Sequence, residues 1–228
     1  FTSPFLIPRL AVIDPKMSIT MPAKFTAATG MDALTHAVES MYCLQKNPVS
    51  DAFASAAIKL IVKNLARAVQ KGNDKQARLE MANTSLIAGI AFSNSMVGLV
   101  HALSHSLGAI CHVPHGTANS IMLPFGMEYN LEKCEEYIAE ILLPFVGPEE
   151  YTLVPENERA KKVIAEIRKL TKELSELCGL PLNLRDAGVQ KDKLEEVAQA
   201  TLNDGAIAFN PEEISKEEAL ELLEKAYK

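Results

Sequence analysis

The chain has 228 residues, of which 48% are hydrophobic and 23% charged, which is long enough for a sizeable core and too apolar for a disordered segment. Its 23 Lys and Arg against 29 Asp and Glu leave a net charge of −6. The acid excess lies in residues 116–228, so the clustered positive charge that a nucleic-acid partner requires is missing from the pattern. Cys43, Cys111, Cys134 and Cys178 stand far apart, with no CxxC pair and no amino-terminal signal sequence, and the expectation is four reduced thiols in a cytoplasm.

In chain order, residues 5–13 (Phe-Leu-Ile-Pro-Arg-Leu-Ala-Val-Ile) followed by Asp14-Pro15 read as one extended strand ending in a turn, because a proline among β-branched residues does not suit a helix interior. No other strand is expected. From Ala23 the period is helical: Ala33, Ala37 and Met41 recur at spacing four, and Ala54, Ile58, Ile61, Val62 and Leu65 continue the pattern beyond an Asn47-Pro48 break. Further helices are expected near 74–96, 98–110, 117–130, 132–143, 156–178, 190–202 and 215–227. Asp51 is a candidate cap, and Ser215 with Glu218 three residues on forms a candidate capping box. The chain is mainly α, without internal repeats or linkers.

Between Glu80 and Glu128, 47 consecutive residues include no Asp, Glu, Lys or Arg. Asn83, Asn94, Ser93, Ser95, Ser104, Ser106, Pro114 and Asn119 interrupt the run too often for lipid-facing spans, so it reads as a buried core segment, and no membrane partner is expected. His101, His105, His112 and His115 all fall inside it. Four imidazoles within 15 apolar residues are costly to bury without a shared partner, and a metal ion is the economical one. His101 and His105 share a helix face at i,i+4, and Pro114 breaks the helix so that a histidine on the His112–His115 turn can fold back toward it.

Imidazoles alone leave a divalent cation uncompensated, and the uncharged stretch offers no anion. Thr29-Gly30-Met31-Asp32-Ala33-Leu34-Thr35-His36-Ala37-Val38-Glu39 supplies one, with Asp32 and His36 at i,i+4. Spacing leaves the choice among the histidines open, since His105 is as eligible as His101. Glu39, three residues after His36, is expected to serve in a surface or packing ion pair rather than to orient a ligand.

These residues carry a resemblance. Ile13-Asp14-Pro15, Met21-Pro22 and the run Ala27–Glu39 resemble the first signature of the iron-containing (group III) alcohol dehydrogenases. Gly98-Leu99-Val100-His101-Ala102-Leu103-Ser104-His105-Ser106-Leu107-Gly108-Ala109, closing with Pro114-His115-Gly116, resembles the second. Leu184–Val189 and Asn210-Pro211 extend the likeness over nearly the whole chain.

The resemblance implies a dehydroquinate-synthase-like helical domain over residues 15–228, with residues 1–14 the remnant of an absent amino-terminal α/β dinucleotide-binding domain. It implies metal ligands Asp32, His36, His101 and His115, with His105 the catalytic histidine beside the nicotinamide. The implied metal is Fe(2+), with Zn(2+) compatible with the same donors, and the implied reaction is hydride transfer between NAD(P)H and a small alcohol or aldehyde. A metal-dependent lyase or hydrolase of the same superfamily is the alternative. His112 falls at a variable position and is expected to be a polar bystander, while Lys24, Asp14 and Asp186 are expected to serve turns and caps. Glu212 stands where relatives often have arginine, and Ala206–Phe209 is expected to line the substrate pocket. The sequence further suggests a chain inactive without its partner domain, an exposed apolar face around Phe5–Val12 where that domain would dock and which invites self-association of the fragment, and a homo-oligomeric enzyme.

Overall fold

The computed structural model describes residue 5 and residues 8–228. Its α-helices are α1 (Ala23–Ser40), α2 (Pro48–Gln70), α3 (Lys75–Ser95), α4 (Leu99–Cys111), α5 (His115–Glu140), α6 (Leu142–Val146), α7 (Pro148–Leu153), α8 (Arg159–Cys178), α9 (Leu194–Thr201) and α10 (Lys216–Ala226). Short 3₁₀ turns lie in three of the connections, and another, Pro15–Met17, precedes α1. No strand occurs among the described residues. The strand expected over 5–13 is therefore corrected for residue 5 and residues 8–13, while residues 6 and 7 lie outside the described part. The physical reason is that a lone extended segment has no second strand to take its N–H and C=O groups.

Local chemistry sets the helix ends. Asn47 caps α2 by accepting from Val49 and Ser50 N–H while Ser50 Oγ accepts from Asn47 N–H, and Pro48 occupies the first helical position, where its missing N–H costs nothing. Asp51, expected to cap, instead lies in the first turn and pairs with Lys46 at 3.0 Å. Asp74 caps α3 through Gln76 and Ala77 N–H, and the Ser215–Glu218 capping box is present at α10. Helix α5 runs through the two segments read separately at 117–130 and 132–143, bent where Cys134 leaves helical dihedrals. Helix α8 presents Val163, Ile164, Ile167, Leu170 and Leu174 to the core and stops at Gly179, whose φ of +72° is unstrained without a Cβ. Each such buried aliphatic side chain contributes roughly 1.5–3 kcal/mol relative to exposure.

Helix α1 is central, packed against α2, α3, α5 and α8, while α4 lies between α5 and α9. The uncharged run maps onto most of α3, all of α4 and the first half of α5. Leu99, Val100, Leu103 and Leu107 are fully buried, as that run predicts. No single helix among the described residues is long and apolar enough to cross a membrane, and α3 and α4, which together pass on composition, are bent by 109° at their junction.

One close approach brings the two signatures together. A Cβ on Gly116 would lie 2.3 Å from the Ala28 carbonyl oxygen and 2.7 Å from its carbon, so the start of α5 can touch the backbone of α1 only as glycine. That contact sets His115 beside Asp32.

Candidate metal centre

Asp32 and His36 lie one turn apart on α1, His101 and His105 one turn apart on α4, and His115 opens α5. Helix α4 ends at Cys111 because His112 adopts the left-handed conformation at φ 57°, and Pro114 then starts α5, so the turn reverses the chain and returns His115 toward His101. The rings of His101 and His115 lie 5.4 Å apart between centroids.

Asp32, His101 and His115 offer one ligand atom each within 4.8 Å of one another. Asp32 Oδ1 lies 3.2 Å from His115 Nε2 and 3.8 Å from His101 Nε2. His36 borders this group without joining it: its Nδ1 lies 3.9 Å from Asp32 Oδ2, and its ring stacks 4.3 Å from Phe92 and 4.4 Å from His101. His105 stacks on His115 at 5.2 Å, edge-on to His101 at 5.9 Å. His112 is exposed at the left-handed turn that ends α4.

The three ligand atoms share one donor. Asn119 Nδ2 donates to Asp32 Oδ1 at 2.6 Å and to His115 Nε2 at 3.0 Å, and lies 3.3 Å from His101 Nε2. Two amide hydrogens face three lone pairs, and Asn119 Oδ1 is itself buried without a partner among the described residues. Such a cluster holds more acceptor capacity than the protein satisfies, which is the arrangement a cation completes. Two imidazoles and a carboxylate with open positions fit divalent iron by donor type, and zinc also accepts them.

Burial raises the Asp32 carboxyl, but His115 at 3.2 Å, the nearby His36 and the Asn119 amide overcome it and hold the group at about 2. Burial, then His101, push His36 down to about 4 against the pull of Asp32 and Glu39. Both groups thus favour the unprotonated form that a metal ligand needs.

Glu39 corrects the surface or packing expectation. It is completely buried, its Oε1 accepts the Val100 N–H at 2.8 Å, and its Oε2 lies 2.5 Å from His101 Nδ1. With Nδ1–H held there, the Nε2 lone pair of His101 faces Asp32 and His115. Asn210 Oδ1 accepts the neighbouring Leu99 N–H at 3.1 Å, so the first amides of α4 are capped from distant segments because Gly98 carries no side chain to do so.

Three participants were not read from the sequence. Asn119 left a usable signal, a polar residue one turn after His115 in an apolar helix. Phe92 and Asp204 left none: Asn203-Asp204-Gly205 looks like an ordinary turn, yet Asp204 Oδ2 accepts from His105 Nδ1 at 2.9 Å across 99 residues of sequence. That bond raises the His105 imidazole against burial, and it lowers Asp204, again against burial, with help from the Ala206 N–H. Asp14 and Asp186 serve turns as expected, accepting Lys16 N–H and the Asn183 amide.

The model of the Fe-containing alcohol dehydrogenase family, C-terminal, matches residues 26–227. The chain is 41% identical over 221 residues to a 1,3-propanediol dehydrogenase of Klebsiella pneumoniae, covering 97% of this chain and 56% of that protein. It is 36% identical over 222 residues to alcohol dehydrogenase 4 of Saccharomyces cerevisiae, covering 96% and 55%. Among solved structures, an iron-containing alcohol dehydrogenase from Thermococcus thioreducens superposes with a TM-score of 0.84 at 35% identity, over 99% of this chain and 56% of the other. The chain therefore spans a little over half the length of the curated relatives it matches.

Proposed function

This chain belongs to the Fe-containing alcohol dehydrogenase family, and from that premise we propose that it is the metal-holding part of an NAD(P)-dependent alcohol dehydrogenase acting on small alcohols and aldehydes. The observation that carries the reading is the convergence of Asp32, His101 and His115 on one amide, in a pocket with more lone pairs than hydrogens. In this reading His36 completes the ligand set by turning its ring toward Asp32, from which it is 3.9 Å away. When bound, divalent iron supplies a Lewis acid for the carbonyl oxygen and the reduced nicotinamide supplies the hydride.

The chain's own residues do the rest. Glu39 fixes the tautomer of His101, and Asn119 holds Asp32 and His115 in register through hydrogen bonds. His105 keeps a proton on Nδ1 against Asp204, and its side chain is 45% exposed. Its Nε2 is the atom we assign to proton exchange with the substrate: in reduction the doubly protonated ring gives its Nε2 proton to the oxygen as the carbon takes the hydride, leaving the alcohol and a neutral imidazole with Nδ1–H still on Asp204. The described residues hold no strand–turn–helix element for a dinucleotide phosphate, so the reading assigns that element to an amino-terminal α/β domain.

The test is an NAD(P)H-linked assay of the iron-loaded protein with short aldehydes, including the aldehyde of a 1,3-diol, with and without a supplied amino-terminal domain. Aldehyde-dependent oxidation of NAD(P)H that requires the metal and the second domain is expected. Metal-dependent hydrolysis or elimination without nicotinamide turnover would overturn the reading in favour of a lyase or hydrolase.

A further inference from the structure

Among the described residues Asp204 is the one carboxylate within hydrogen-bond reach of His105, and both of its oxygens are engaged. Oδ1 accepts the Ala206 N–H at 2.8 Å and so caps the 3₁₀ turn Gly205–Phe209, while Oδ2 faces His105 Nδ1 at 2.9 Å. The turn is itself anchored. Ala206 packs with Val97 and Ala102, Leu44 N–H donates to Phe209 O at 2.9 Å, and Asn210 bonds to the start of α4 and to Asn130. The carboxylate is thus held by a fixed segment, whereas among the described residues the half-exposed imidazole has this bond as its one side-chain hydrogen bond, beside ring contacts with His115 and His101, to define its orientation.

A carboxylate accepts and does not donate, so the hydrogen bond requires the proton on Nδ1. It also opposes a ring flip, which would put a carbon where the donor stands. We propose that Asp204 is a positioning residue that fixes His105 in one orientation and one tautomer, with Nδ1–H tied to the turn and Nε2 left as the atom that exchanges a proton with substrate. The inference rests on the role assigned above to His105, but its test reads the imidazole directly and does not depend on turnover.

The test is a long-range ¹H–¹⁵N correlation of the histidine rings in this 228-residue chain, comparing wild type with Asp204→Ser and Asp204→Asn. Serine can still cap the turn but is too short to reach the ring, so the fold is kept and the acceptor removed. Wild type should show His105 in the Nδ1–H form. Asp204→Ser should lose that form for the mixture of a solvated imidazole. In Asp204→Asn the single amide oxygen is taken by the Ala206 N–H, so the amide NH₂ faces the ring and His105 should invert to Nε2–H. Iron content measured alongside should be the same in all three. An Nδ1–H signal unchanged in both variants would overturn the proposal, as would loss of iron in either, which would place Asp204 in the metal site itself.

Discussion

Replacing Glu39 by Gln changes one oxygen for an NH₂ with almost no change in shape, at a site with no exposure to solvent. The wild-type carboxylate accepts two hydrogens, from Val100 N–H and from His101 Nδ1. The amide accepts one, so its NH₂ must confront the other. If it confronts Val100, a buried helix-terminal N–H loses its partner, at a cost of about 1–3 kcal/mol. For a chain of this size that corresponds to a fall in Tm of roughly 2–12 °C. If it confronts His101, the ring escapes by moving its proton to Nε2, which removes the lone pair facing Asp32 and His115. Both routes lower metal affinity, by about 10–100-fold as for other groups that orient a ligand. Thermal unfolding without metal, followed by competition with a metal-sensitive dye, separates the two effects. A Glu39→Gln protein with unchanged Tm and unchanged metal affinity would refute the reasoning.

Gly116→Ala should destabilise by at least about 1–3 kcal/mol, since its Cβ meets the Ala28 backbone, and should weaken metal binding by parting α5 from α1. Gly89→Ala, on α3 with open space around the added methyl, should instead gain roughly 0.5–1 kcal/mol; urea unfolding of the pair checks both, and equal midpoints would contradict the packing argument. Arg78→Ala should cost at least about 3 kcal/mol in the same assay, because the buried guanidinium bonds Gly72 O, Thr26 Oγ1 and Met21 O and ties α3 to α1 and to the segment before it.

The helices were legible because their signals are local: the spacing of Ala54, Ile58, Ile61 and Leu65, the Pro48 start and the Ser215–Glu218 box each act within a few residues. The strand expected over 5–13 is not formed at residue 5 or residues 8–13, because strand structure depends on a partner that the local sequence does not contain. At the site, the residue types and the His112–His115 reversal could be read from polarity, cost and the proline. The division of roles could not. His101 and His105 have the same helical spacing, and what separates them is Glu39 behind one ring and Asp204 behind the other, contacts made across 62 and 99 residues. Glu39 looked like an ordinary charge because nothing in Val38-Glu39-Ser40 reveals that the position is sealed beneath the first turn of α4.

The central claim is that Asp32, His101 and His115, with His36, hold one divalent iron. Its most direct test is anaerobic iron loading of the chain followed by elemental analysis of desalted wild type and the single alanine variants of Asp32, His36, His101, His115, His105 and His112, each checked for helical content by circular dichroism. The expected result is one iron per chain in wild type, His105→Ala and His112→Ala, and a sharp loss in the other four. Full occupancy in both His101→Ala and His115→Ala would contradict the account.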